Sequence, residues 1–197
     1  MNNQLPFKSI LFSIMVSLLF SCGGGDENNP SPNIVDNRIL LTAKEAVALA
    51  EPVRDAELPD GVLSFIMVLF NKEDDFIGRQ HGWSIYFTDH QTNYAIEVSV
   101  DSEKQHASAP FTGSGVPNGS IPGEWVDSDQ AMEAVLSNGG DSEDLPYGTM
   151  TLFGDPQYPA YKSNEYAWVV NYGDMDASTI HNYFVGLDGT FLGKDFD

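Results

Sequence analysis

The clearest pattern of hydrophobic and polar positions along this chain is one that recurs at an offset of 85 residues. Leu41-Thr42-Ala43-Lys44-Glu45-Ala46-Val47 aligns with Val126-Asp127-Ser128-Asp129-Gln130-Ala131-Met132. In each segment an oxygen-bearing residue stands three places before an acid or amide, Thr42 before Glu45 and Asp127 before Gln130. That is capping-box spacing, in which each side chain satisfies an orphan N–H of the other residue, so each segment predicts a helix start. After the first, Ala46, Leu49, Ala50 and Val53 recur at i, i+3, i+4 and i+7, the spacing of one buried helix face. Pro52 is expected to end or distort the last turn. After the second, Ala131, Ala134 and Val135 share a face, and Asn138-Gly139-Gly140 offers left-handed residues that close a helix.

Downstream of each helix the period changes to two. Residues 62–70 form an apolar run broken only by Ser64, and Pro59-Asp60-Gly61 supplies a turn before it. The turn and the β-branched content favour a strand over a buried helix segment. Residues 149–153 are a weaker counterpart. Trp83 stands 41 residues after Thr42, as Trp168 does after Asp127, and each opens an aromatic, β-branched segment, 83–87 and 168–172. Turns at 88–93 and 173–178 lead into return strands. In the first, Tyr94, Ile96, Val98 and Val100 alternate with Ala95, Glu97, Ser99 and Asp101. In the second, Tyr183, Val185 and Leu187 alternate with Asn182 and Gly186. Such alternation marks antiparallel strands with one buried and one polar face. Asp101 and Asp188 close them. Seven glycines and prolines between 105 and 123 read as a long loop. The sequence therefore predicts an α+β chain of two helix-plus-antiparallel-sheet repeats, each helix-strand-strand-strand, over 34–104 and 125–197, joined by a Gly/Pro-rich loop over 105–124.

Glu45-Ala46, Trp83 and Val98-Ser99-Val100-Asp101 in the first unit, with Gln130-Ala131, Trp168 and Val185-Gly186-Leu187-Asp188 in the second, carry a family resemblance. Across residues 40–193 the pattern resembles the PepSY domain and its relatives in exported bacterial proteins. The Thr-Gly that often follows the aspartate there is approached only by Asp188-Gly189-Thr190, while Asp101-Ser102-Glu103-Lys104 departs from it. The resemblance implies a helix cradled by an antiparallel sheet, cystatin-like in outline, and a role in binding or restraining peptidases. It brings no catalytic residues.

The first 33 residues have a different composition. Residues 1–8 carry one positive charge and 9–20 are apolar apart from serines, the layout of a secretory signal peptide. Leu19-Phe20-Ser21-Cys22 resembles the lipobox of bacterial lipoproteins, which makes 1–21 the signal peptide and Cys22 the lipidation site. A bulky Phe20 departs slightly from that pattern. Acyl chains contribute ~0.8 kcal/mol per buried CH₂, so a multiply acylated cysteine holds its protein on the membrane. Residues 22–33, Gly/Pro-rich and polar, read as a flexible tether. No aspartate follows Cys22, which by lipoprotein sorting rules places the protein in the cell envelope at the outer membrane, on its periplasmic or surface side.

Charge narrows the function further. The chain has 9 Lys+Arg against 29 Asp+Glu, a formal charge of −20. Nucleic-acid affinity comes mainly from basic side chains displacing counterions, so that class of partner is excluded. One cysteine in 197 residues rules out an intramolecular disulfide framework and Cys-rich zinc sites. Lipidation consumes that thiol, removing cysteine catalysis.

The candidate chemistry is thin. His81, His90, His106 and His181 form no HExxH motif and no helical i, i+4 pair. Gly113-Ser114-Gly115 lacks the spacing of a nucleophile elbow. Acids cluster at Glu73-Asp74-Asp75, Asp127/Asp129, Asp141/Glu143/Asp144 and Asp174/Asp176, and none continues into a calcium-loop pattern. Trp125 and Tyr158-Pro159-Ala160-Tyr161 are candidates for sugar stacking. The sequence reads as a non-enzymatic protein without cofactor or metal, attached to a membrane by its lipid and binding a protein or peptide, with a protease as the narrower partner. Its contact surfaces are expected at exposed sheet edges and the 105–124 loop, since edges accept extended peptides. The alternative is a glycan- or calcium-binding accessory lipoprotein.

Overall fold

A computed structural model describes residues 39–71, 76–113, 119–140, 144–153, 166–174 and 179–196. The signal peptide, Cys22 and the tether lie outside the described residues, as do Glu73-Asp74-Asp75, Ser114, Gly115, Asp141, Glu143, Tyr158-Pro159-Ala160-Tyr161 and Asp176. In chain order the elements are α1 (Ala43–Glu57), β1 (Val62–Asn71), β2 (Gly82–Asp89), β3 (Tyr94–Asp101), β4 (Gln105–Ala107), α2 (Ser128–Leu136), β5 (Tyr147–Phe153), β6 (Ala167–Gly173), β7 (Ile180–Gly186) and β8 (Phe191–Phe196).

Both helices begin at the expected capping boxes. Thr42 N–H donates to Glu45 Oε2 at 2.8 Å and Glu45 N–H returns to Thr42 Oγ1 at 3.3 Å. Asp127 and Gln130 exchange the same bonds. Pro52 does not end α1, which continues to Glu57. Pro52 is exposed, so the backbone bond it deletes faces water, which can take up the freed carbonyl. Gly139, at φ +109°, supplies the left-handed turn after α2.

The expected two helix-plus-sheet repeats are corrected by the sheet. All eight strands form one antiparallel sheet in the order β4-β3-β2-β1-β5-β6-β7-β8, and with two helices among the described residues the fold is mainly β. The cause lies in β1 and β5. In β1, Ile66, Val68 and Phe70 enter the helix-side core while Met67, on the opposite face, is also buried. In β5, all five residues from Gly148 to Leu152 are buried. Strands buried on both faces belong in the middle of a sheet, with a neighbour on each side. They pair with each other in unbroken register from Phe65↔Phe153 to Asn71↔Tyr147, fusing the halves into one sheet.

Two further strands occupy the outer positions. Residues 105–107, expected within a loop, are β4 and pair with β3 from Val98↔Ala107 to Val100↔Gln105. β8 pairs with β7, with an irregularity opposite Phe184/Val185. The core lies between the helices and one sheet face and includes Ala46, Ala50, Ile85, Phe87, Ile96, Val98, Met132, Val135, Met150 and Trp168. The expected polar side of the second return strand is buried as well, since Asn182 is only 3% exposed and Phe184 1%.

Candidate functional site

The repeat-equivalent tryptophans are structural. Trp83 Nε1–H donates to Leu41 O and Trp168 Nε1–H to Val126 O, each at 2.9 Å. Each indole thus holds the residue just before its own helix cap. The two helices also begin against each other. Ala43 N–H donates to Ser128 Oγ at 2.9 Å, across 85 residues, which is the repeat offset itself. Lys44 N–H donates to Asp127 Oδ1 at 3.0 Å, so Asp127 serves both helix starts. Ser128 Oγ–H continues to Gly78 O at 2.6 Å. Arg79 reaches Glu45 at 3.5 Å and Asp129 at 3.2 Å. Two helix N-termini each carry partial positive charge and repel when brought together; Glu45, Asp127 and Asp129 offset that field. Asp127/Asp129 therefore has structural work.

Other sequence candidates are scattered by the sheet. His106 lies on β4 and His181 on β7, six strand spacings apart or roughly 30 Å. His90 is in the β2–β3 turn and His81 just before β2. Asp101 accepts the N–H groups of Glu103 and Lys104 at 2.8 and 2.7 Å, and Asp188 accepts Thr190 N–H at 2.9 Å. Both acids organise hairpin turns. The Thr190 N–H and hydroxyl bonds hold the Asp188 carboxyl below the usual carboxylate range. Among the described residues no three His, Cys, Asp or Glu side chains converge as metal ligands would. Trp125 is 8% exposed and packs edge-on to Trp168, with Lys44 Nζ 5.1 Å from a Trp125 ring centroid, so its ring does not offer a sugar platform.

The sheet face away from the helices mixes rings and amides. Phe65 meets Tyr86 edge-on at 5.4 Å and Phe153 tilted at 6.0 Å. Thr149 Oγ1–H donates to Asn171 Oδ1 at 2.9 Å, and Asn171 Nδ2–H to Asn182 Oδ1, a ladder across β5, β6 and β7. Ser84 Oγ–H donates to Glu97 Oε1 at 2.8 Å. Burial raises the Tyr86 phenol above its ordinary range, helped by the negative charge of Glu97 and the hydrogen bond to it. These polar groups satisfy one another, which is what stabilises them when buried.

The sheet edges remain, and they differ. Beyond β4 the chain stays on β3: Ser108 N–H donates to Glu97 O at 2.8 Å, and Ala95 and Phe111 exchange two bonds at 2.9 Å. Pro110 and overlying α1, which packs against β2, β3 and β4, blunt that edge. β8 is twice as long, six residues against three, and carries no proline. α2 rests on β6 and β7. Leu192 is 43% exposed, while Lys194 turns back to the helix side, its Nζ 5.9 Å from the Tyr183 ring. Among the described residues, β8 is the longer and less guarded edge. Edges were expected as contact surfaces from the sequence; which edge was not, because β8 itself was missed.

No family model and no curated protein matches the chain, so the PepSY resemblance rests on the residues quoted for it. Among solved structures, the chain is similar to a candidate lipoprotein of Clostridium difficile 630. The two are 13% identical, the match covers 77% of this chain and 93% of that one, and the TM-score is 0.49.

Proposed function

We propose that this chain is a lipid-anchored, non-enzymatic envelope protein that holds an extended segment of another protein along β8. The observation that carries the reading is the β8 edge: six residues with no proline and an exposed Leu192. Main-chain hydrogen bonds to an added strand supply affinity, and side-chain positions along the edge supply selectivity. The Leu19-Phe20-Ser21-Cys22 pattern supports the anchor, and the residue after Cys22, a glycine, supports the outer membrane as its address. The narrower form, restraint of an exported peptidase, draws on the PepSY resemblance.

Two measurements test it. Growth with a labelled fatty acid should mark the wild-type chain and leave Cys22→Ser unlabelled. Hydrogen exchange of the full chain, with and without its captured envelope partner, should slow amides in residues 191–196 and leave residues 105–111 unchanged. A partner that protects neither edge, or protects only the helices, sinks the strand-addition reading.

A further inference from the structure

The strand-addition reading leaves the partner's chemistry open, and this inference rests on that reading. We infer that the segment held along β8 is cationic. The described basic side chains are engaged within the fold or distant from this edge. Arg54 pairs with Asp55 at 2.7 Å and lies 5.5 Å from the Phe87 ring centroid. Arg79 is shared by Glu45 and Asp129. Lys44 and Lys194 lie over the rings of Trp125 and Tyr183. Lys104 sits in the β3–β4 turn, at the other end of the sheet. The carboxylates greatly outnumber them, 29 acids to 9 bases. At β8, exposed Asp188 precedes the strand, and exposed Lys194 and Asp195 stand side by side within it.

A peptide approaching this edge therefore enters a net negative field, in which Lys194, the one described cation of the strand, is drawn over the Tyr183 ring. Like-charge juxtaposition opposes an acidic segment, and a positive one is steered inward. The same field opposes pairing of β8 with β8 of a second copy, since each chain carries −20. A cationic extended segment satisfies both the edge geometry and the field.

The test uses the full chain and three synthetic peptides of about ten residues, enough to span one edge strand. They share alternating Val and Thr positions and carry Lys, Gln or Glu at the remaining places. Binding is read by fluorescence polarisation at about 20 mM and about 300 mM salt, where screening differs strongly, and location by hydrogen exchange at residues 191–196. The Lys peptide is expected to bind about tenfold or more tighter than the Gln peptide at low salt and to lose that advantage at high salt. It should protect β8, and Asp195→Lys should reduce its advantage. Equal affinities of Lys and Gln peptides with β8 protected overturn the charge inference and leave strand addition standing. Lys-peptide binding without protection at β8 is surface attraction alone and overturns the inference. Protection of β8 by none of the three removes the strand-addition reading beneath it.

Discussion

In the first half of the sheet α1 runs for 15 residues and packs across β2, β3 and β4, whereas in the second α2 runs for 9 and rests on β6 and β7. Both helices start from capping boxes, and both are held by an indole N–H bonded to the residue before the cap. The difference accumulates towards the edges. The first half ends in a three-residue strand followed by Pro110; the second ends in six residues with Leu192 exposed. Equivalent local instructions fix the inner strands of both halves, and helix length together with edge composition decides which outer strand, among the described residues, is the longer and less guarded.

Substitutions can break that comparison at its centre first. Gly78 sits at φ +82°, and a Cβ there would lie 2.3 Å from Ser128 O and 2.5 Å from Asp129 Cα, all backbone atoms. Gly78→Ala should cost about 3 kcal/mol or more in chemical denaturation, because overpacking and a disfavoured backbone add. Next come Trp83→Phe and Trp168→Phe, each leaving one carbonyl, of Leu41 or Val126, without its indole donor. Each should lose about 1–3 kcal/mol. Similar losses support matched halves, and a loss confined to one half would show that only one helix depends on its indole. Asp127→Ala should cost about 2 kcal/mol and Thr42→Ala about 1 kcal/mol, since Asp127 serves two helix starts.

The smallest effects concern protons. Tyr86 has a raised folded pKa, so its contribution to stability is present below the ordinary phenol range and is lost as pH rises above it. Absorbance titration should show Tyr86 still protonated above the ordinary phenol range, and Glu97→Gln should bring it down. Asp188 has a depressed folded pKa. Its contribution is present above the ordinary carboxylate range and is lost as pH falls through that range and then through the lower folded value. Asp188→Asn should remove that part of the acid dependence in thermal scans taken at successive pH values.

Much of this local structure was legible because its signals lie within a few residues. Thr42/Glu45, Asp127/Gln130 and the two tryptophans at constant spacing were readable directly. The single sheet was not inferred, although residues 62–70 carried the signal: a run apolar on both faces belongs to a central strand. β8 escaped because the irregularity near Gly193 breaks its alternation, and a bulge does so by adding an unpaired residue. β4 is three residues long in a Gly/Pro-rich stretch. The junction of Ser128 with Gly78 and of Arg79 with Asp129 joins residues 50 apart, where periodicity carries no information. The candidate edge followed the same rule, since its openness depends on how far α2 extends over strands distant in sequence.

Native-state hydrogen exchange on the full chain tests the two-halves description most directly. Amides of β1 and β5 should exchange slowest and together, through one global opening, while those of β8 exchange faster than the amides of β6 and β7 beside it. Two separate opening units, one for residues 39–113 and one for residues 119–196, or a β8 as protected as the central strands, would contradict a single sheet whose β8 edge is the less guarded of its two described edges.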